Sequence, residues 1–120
     1  MKIFEVTDPI HKTLPDFVKF ACDQLDISEH PTIDVVDQVP GTEGTTFGRY
    51  DPETKTVYIV ARGRHHKDVF RTLAHELVHY KQDQEDRLNP HSGATGSEEE
   101  NEANAEAGVV MRNYNEQNPE

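Results

Sequence analysis

The longest helical pattern in the chain spans residues 67–84, a stretch without Gly or Pro in which Phe70, Leu73, Ala74 and Leu77 recur along one stripe. That spacing predicts a buried helix. An earlier one is expected from residue 13 to about 25. Thr13, Pro15 and Asp16 supply a hydroxyl cap, a proline in the first turn and an acid at the positive end. Its apolar face is Leu14, Phe17, Val18, Ala21 and Leu25, and it must stop before His30-Pro31, since a residue preceding proline avoids the α region. A third helix is expected from residue 98 to about 114, with Ala103, Ala107, Val110 and Tyr114 on one side. Such small residues let a neighbouring helix approach closely. Residues 115–120 are expected to fray.

Between the first two helices the period shortens. β-branched and alternating runs predict strands at 33–37, 45–50 and 56–61, the last two joined as a hairpin through Asp51-Pro52-Glu53-Thr54. Thr56-Val57-Tyr58-Ile59-Val60 is the strongest strand signal and directly precedes the 67–84 helix. It is expected either to border a cleft, where an exposed edge would take an extended peptide by strand addition, or to be an ordinary sheet strand. The expected fold is α+β: an N-terminal helix, a small mixed sheet of about three strands, a central helix and a C-terminal helix. At 120 residues the chain suits one domain, 1–120, with a single core.

A net charge of −11 argues against a nucleic-acid backbone or an anionic membrane surface as partner. Arg62, Arg64 and Lys67, with His65 and His66 between them, are the one basic concentration; it reads as a solvated connector, or as a place for an acidic substrate group. His65 and His66 themselves read as ordinary exposed histidines. Cys22 is the single cysteine, so no internal disulfide can form, and its apolar neighbours mark it as a small core residue. The first residues are too polar for a signal peptide, and no apolar run approaches a membrane span. A cytoplasmic protein is expected.

Chemistry enters with His75-Glu76-Leu77-Val78-His79, an uninterrupted HExxH on the 67–84 helix. Residues four apart share a helix face, so His75 and His79 can hold one metal ion while Glu76 projects beside it towards a bound water. In a chain of this length and composition the pattern arises by chance about 0.04 times. The two histidines lie away from the apolar stripe, so another element must cover them, and the small-residue face of the third helix is suited to it.

Catalytic zinc usually takes three protein ligands. The extended motif with a third histidine would need Gly at 82 and His at 85, where this chain has Gln82 and Glu85. The candidates are Glu100, on the side of Ala103, Ala107 and Met111, and its rivals Glu99 and His91. Asn104, one turn beyond Glu100, could accept a histidine N–H. Against Glu100 as ligand stands Ser97-Glu98-Glu99-Glu100, a capping box in which its carboxylate would fold back on the Ser97 backbone; a box beginning at Thr95 competes.

HExxH on one helix, a glutamate from the next, and Glu100-Asn101-Glu102-Ala103-Asn104-Ala105-Glu106-Ala107 resemble the gluzincin metallopeptidases. The ExxANxxA run is similar to the ImmA/IrrE-type, often phage-associated branch, and the size resembles the minigluzincins. The resemblance covers residues 56–107. It implies a zinc-dependent peptidase with one catalytic ion on His75, His79 and Glu100, Glu76 as general base, and a peptide or protein as substrate. Thermolysin-like members carry an aspartate at the place of Asn104, and the ImmA/IrrE branch a glycine at that of Val78. An oxyanion partner from outside the motif is also implied, for which His91, Tyr80 and Tyr114 are available. The alternative expectation is a catalytically silent zinc-binding interaction or regulatory module on the same scaffold.

Overall fold

The runs of β-branched and aromatic residues pair into one sheet, and the apolar stripes of the helices close over it. The computed structural model describes residues 9–41, 46–88 and 97–118, with side chains from Thr13 onward. The elements are α1 (Pro9–Gln24), β1 (Thr32–Val36), β2 (Gly48–Asp51), β3 (Thr56–Val60), α2 (His66–Gln84) and α3 (Glu98–Gln117). The sheet is mixed, in the order β1-β3-β2, with β1 parallel and β2 antiparallel to β3. This is the expected α+β arrangement.

The β2–β3 hairpin forms as its turn residues dictate. The Asp51 side chain accepts the Glu53 N–H at 3.0 Å, and Lys55 takes the left-handed conformation (φ 55°) before the chain enters β3. β3 lies in the middle of the sheet, so its main-chain groups are committed to strands on both sides. The expectation that β3 offers an edge to a peptide is therefore corrected. A run apolar on both faces, buried at Val57, Ile59 and Val60, is what a central strand requires. The edge on the hairpin side belongs to β2.

α1 begins four residues before the expected cap, at Pro9, and so encloses Pro15. Pro9 opens the helix, where its missing N–H has no intrahelical partner to lose. Pro15 forfeits one bond to the preceding turn, on an exposed position. Phe17 from α1 stacks on Phe70 of α2 with ring centroids 4.3 Å apart, and Tyr114 of α3 meets both rings edge-on. α1 and α2 end alike. Asp26 and Asp86 both have φ 59°, and the Ile27 and Arg87 amides reach back to the carbonyls of Cys22 and Gln82, each at 2.8 Å. α3 runs along α2 with Ala103 and Ala107 buried between them, as the small-residue face predicts, and continues past residue 114 to Gln117. Among the described residues no helix is long and apolar enough to cross a membrane.

Candidate metal centre

The approach to α2 is fastened by its own basic residues. The Arg64 guanidinium donates to the Val60 carbonyl at 2.8 Å, the Asp68 carbonyl at 3.2 Å and the Thr72 hydroxyl at 2.8 Å, and its carbon lies 4.4 Å from the Phe47 ring centroid. It ties the end of β3 to the first two turns of α2 instead of awaiting an acidic group. Arg62 stands 3.8 Å from Asp37. His65 caps α2, its Nδ1 accepting the Lys67 N–H at 3.1 Å, and stacks on His66.

One helical turn apart on α2, His75 and His79 bring their ring centroids to 4.9 Å. The start of α3 brings Glu100 to both. One carboxylate oxygen lies 3.1 Å from His75 Nε2, and the other lies 3.0 Å from His79 Nε2. Among the described residues, these three form a group whose ligand atoms all lie within 4.8 Å of one another. Such a cluster can hold a metal ion. Tetrahedral coordination at ordinary zinc distances places ligand atoms about 3.3 Å apart, so both carboxylate–imidazole spacings need open only slightly. Two imidazoles and a carboxylate are also a donor set proper to catalytic zinc.

The backbone and the side chain of Glu100 take different partners. The Ser97 hydroxyl accepts the Glu100 N–H at 3.0 Å, which caps α3, while the Glu100 carboxylate extends to the histidines. The Glu99 carbonyl accepts from the Gln82 side chain at 3.0 Å, and the cluster of possible ligands among the described residues contains Glu100 and not Glu99.

Glu76 is 9% exposed and sits between α2 and β2. Burial pushes its carboxyl up from 4.5 to about 7, and Glu100 adds to the rise; His79, a donated N–H from Tyr50 and the charge of Arg49 pull the other way. Burial also lowers the His75 imidazole, opposed by Glu100 and by a hydrogen bond to Asn104. Asn104 thus stands where a histidine N–H needs an acceptor.

Tyr50 reaches Glu76 because β2 hugs α2. The Val60 N–H bonds the Phe47 carbonyl at 2.9 Å, and the alternation of an antiparallel pair turns the main-chain groups of Gly48 and Tyr50 away from β3. A Cβ at Gly48 would stand 2.4 Å from Thr72 Cγ2 and 3.4 Å from Glu76 Cγ. Only glycine lets the strand lie so near the helix.

Gln82, where a third-histidine motif would carry glycine, is fully buried beside His79. Its side-chain oxygen lies 2.8 Å from His79 Nδ1. The sequence signal was its position three residues beyond the second histidine, on the same helix face. Tyr50 left no such signal, because it acts through its backbone.

Two of the expected oxyanion partners lie elsewhere. The Tyr80 hydroxyl donates to the Glu29 carbonyl at 2.7 Å, beyond the end of α1. Tyr114 packs among Phe17, Phe20 and Phe70 on the core side of α2. His91, the remaining partner and a rival third ligand, lies outside the described residues. Cys22 is buried, and burial followed by the charge of Asp23 pushes its thiol up to about 11, as suits a core residue.

In comparisons with known proteins, no family model, no curated sequence and no solved structure matches this chain.

Proposed function

We propose that the protein is a zinc-dependent metallopeptidase of the gluzincin kind, with His75, His79 and Glu100 as ligands and Glu76 as general base. The observation that carries it is the convergence of Glu100 from α3 on both imidazoles of α2, at 3.0 and 3.1 Å, beside a buried glutamate. Zinc bound there would supply Lewis acidity, activating a water and polarising the scissile carbonyl. Glu76 takes the proton of the attacking water and passes it to the leaving amine nitrogen. Its burial supports that role, because a carboxyl lifted out of the ordinary range accepts and returns a proton near neutral pH.

Substrate would lie along β2 rather than β3. Gly48 faces that edge with its main chain, and the Tyr50 N–H on the same edge orients the base. A peptide or protein substrate in the cytoplasm is the corresponding proposal for partner and compartment.

Metal analysis of purified protein, with cleavage of a mixed peptide library by wild type and Glu76→Gln, tests this. One zinc per chain is expected, with hydrolysis that the substitution lowers by roughly 10²- to 10⁴-fold while zinc stays bound. Protein that holds zinc and cleaves nothing would instead be a silent zinc-binding interaction module. Protein that binds no zinc would sink both.

A further inference from the structure

We infer that Gln82 is a positioning residue of the metal centre: it fixes which nitrogen of His79 faces the metal and ties that histidine to the turn carrying Glu100. The inference rests on the metal-binding part of the proposed function and not on peptide hydrolysis.

An amide side chain has one accepting end and one donating end, and its surroundings decide which points where. The Gln82 nitrogen lies 3.0 Å from the Glu99 carbonyl and 2.7 Å from Glu102 Oε1. A carbonyl only accepts. The same Glu102 oxygen also accepts from the Arg87 guanidinium at 2.9 Å, so it too is an acceptor. With two acceptors at one end, the amide nitrogen must face α3. The oxygen is then left for His79, 2.8 Å from Nδ1, so Nδ1 carries the proton and donates. In the neutral ring the lone pair falls on Nε2, the atom facing Glu100 and the one a metal requires.

The same side chain spans the two elements that must stay in register. Gln82 sits on α2 three residues after His79, and its amide grips the first turns of α3 through Glu99 and Glu102, on either side of Glu100. His75 takes its own bond from Asn104. Each imidazole therefore has a dedicated side-chain partner, and Gln82 adds a tie to the Glu99 carbonyl in the first turn of α3.

Two measurements test this. In the zinc-loaded wild type, long-range ¹H–¹⁵N correlation spectra should show His79 protonated at Nδ1, bound through Nε2, and slow to exchange its N–H. Gln82→Met keeps the length and apolar bulk of the side chain and removes both hydrogen-bonding ends. Its zinc affinity, by chelator competition, should fall roughly ten- to a hundredfold, the usual scale for such partners, with a shifted cobalt-substituted absorption spectrum. A His79 bound through Nδ1, or protonated at Nε2, overturns the inference without any variant. So does a Gln82→Met protein whose affinity and cobalt spectrum match wild type. Wild type that holds zinc but cleaves no peptide refutes the peptidase reading alone and leaves this one standing. Wild type that takes up no zinc refutes both.

Discussion

Gly48→Ala is the sharpest test of how β2 is held to the site. Gly48 does not have positive φ, so alanine meets no backbone strain there, and with free space the substitution should stabilise by about 0.4–1 kcal/mol through the unfolded chain. The space is missing: the new methyl would stand 2.4 Å from Thr72 Cγ2, where carbon atoms prefer about 3.5–4.0 Å. Roughly 1 Å must be found. Thr72 cannot swing aside cheaply, since its hydroxyl is bound to the Asp68 carbonyl at 3.0 Å and to Arg64 at 2.8 Å. Each of those bonds is worth about 1 kcal/mol, and the charged one somewhat more. If β2 moves instead, the Tyr50 N–H leaves Glu76. Either route gives a destabilisation of about 1–3 kcal/mol. Displacement of β2 would further lower peptide turnover by as much as about a hundredfold with zinc affinity unchanged. Denaturant unfolding, zinc competition and kcat/KM on one peptide measure the three quantities. Thr72→Ser in the same chain removes the clashing methyl and keeps the hydroxyl, and should restore most of the loss. A Gly48→Ala protein as stable as wild type, or a double variant no better than the single, would refute the close-approach account.

Three further outcomes follow from the geometry. Glu100→Ala should lower zinc affinity well beyond the roughly ten- to hundredfold worth of an outer partner, measured by chelator competition; an unchanged affinity would remove Glu100 as ligand. In metal-free protein Glu76 contributes stability below its unfolded value of 4.5 and loses it as pH rises through its folded value of about 7, a change on the order of 3 kcal/mol. The lowered His75 changes stability in the opposite sense, so the signal to seek is the difference between wild type and Glu76→Gln in urea unfolding with chelator from pH 4.5 to 8; parallel curves would count against a raised Glu76. Asp86→Gly should raise the unfolding free energy by a few tenths to about 1 kcal/mol, because glycine holds φ 59° without strain; a drop in stability would mean that the aspartate side chain earns its place at the helix end.

Helices and strands were legible because each is a local periodicity. The stripe of Phe70, Leu73, Ala74 and Leu77 and the alanine face of α3 state in one dimension which surfaces meet. Strand order is not local. Nothing within residues 56–60 says whether the partner strands lie on one side or both, and β1 supplies the second side from more than twenty residues away. The start of α1 was obscured by competing signals, since Thr13 and Pro15 look like a cap and first turn although Pro9 serves as well. At the centre, His75, Glu76 and His79 were legible from spacing and Glu100 from its helix face. Gln82 shared the face of His79 by spacing, but its role was not legible, because a buried glutamine's hydrogen bonds are set by the atoms around it. The Tyr50 amide was hidden more deeply still, since every residue but proline carries one.

Because the Ser97 hydroxyl accepts the Glu100 amide, the cap of α3 does not draw on the Glu100 carboxylate. A ligand helix that needed its metal to form would unravel at each loss of the ion and refold at each return. On the proposed reading the third ligand would arrive already in place, and an ion could leave and re-enter while the polypeptide around it keeps its shape. Exchange then becomes a question of how fast a cation is shed, not of how fast a chain can refold.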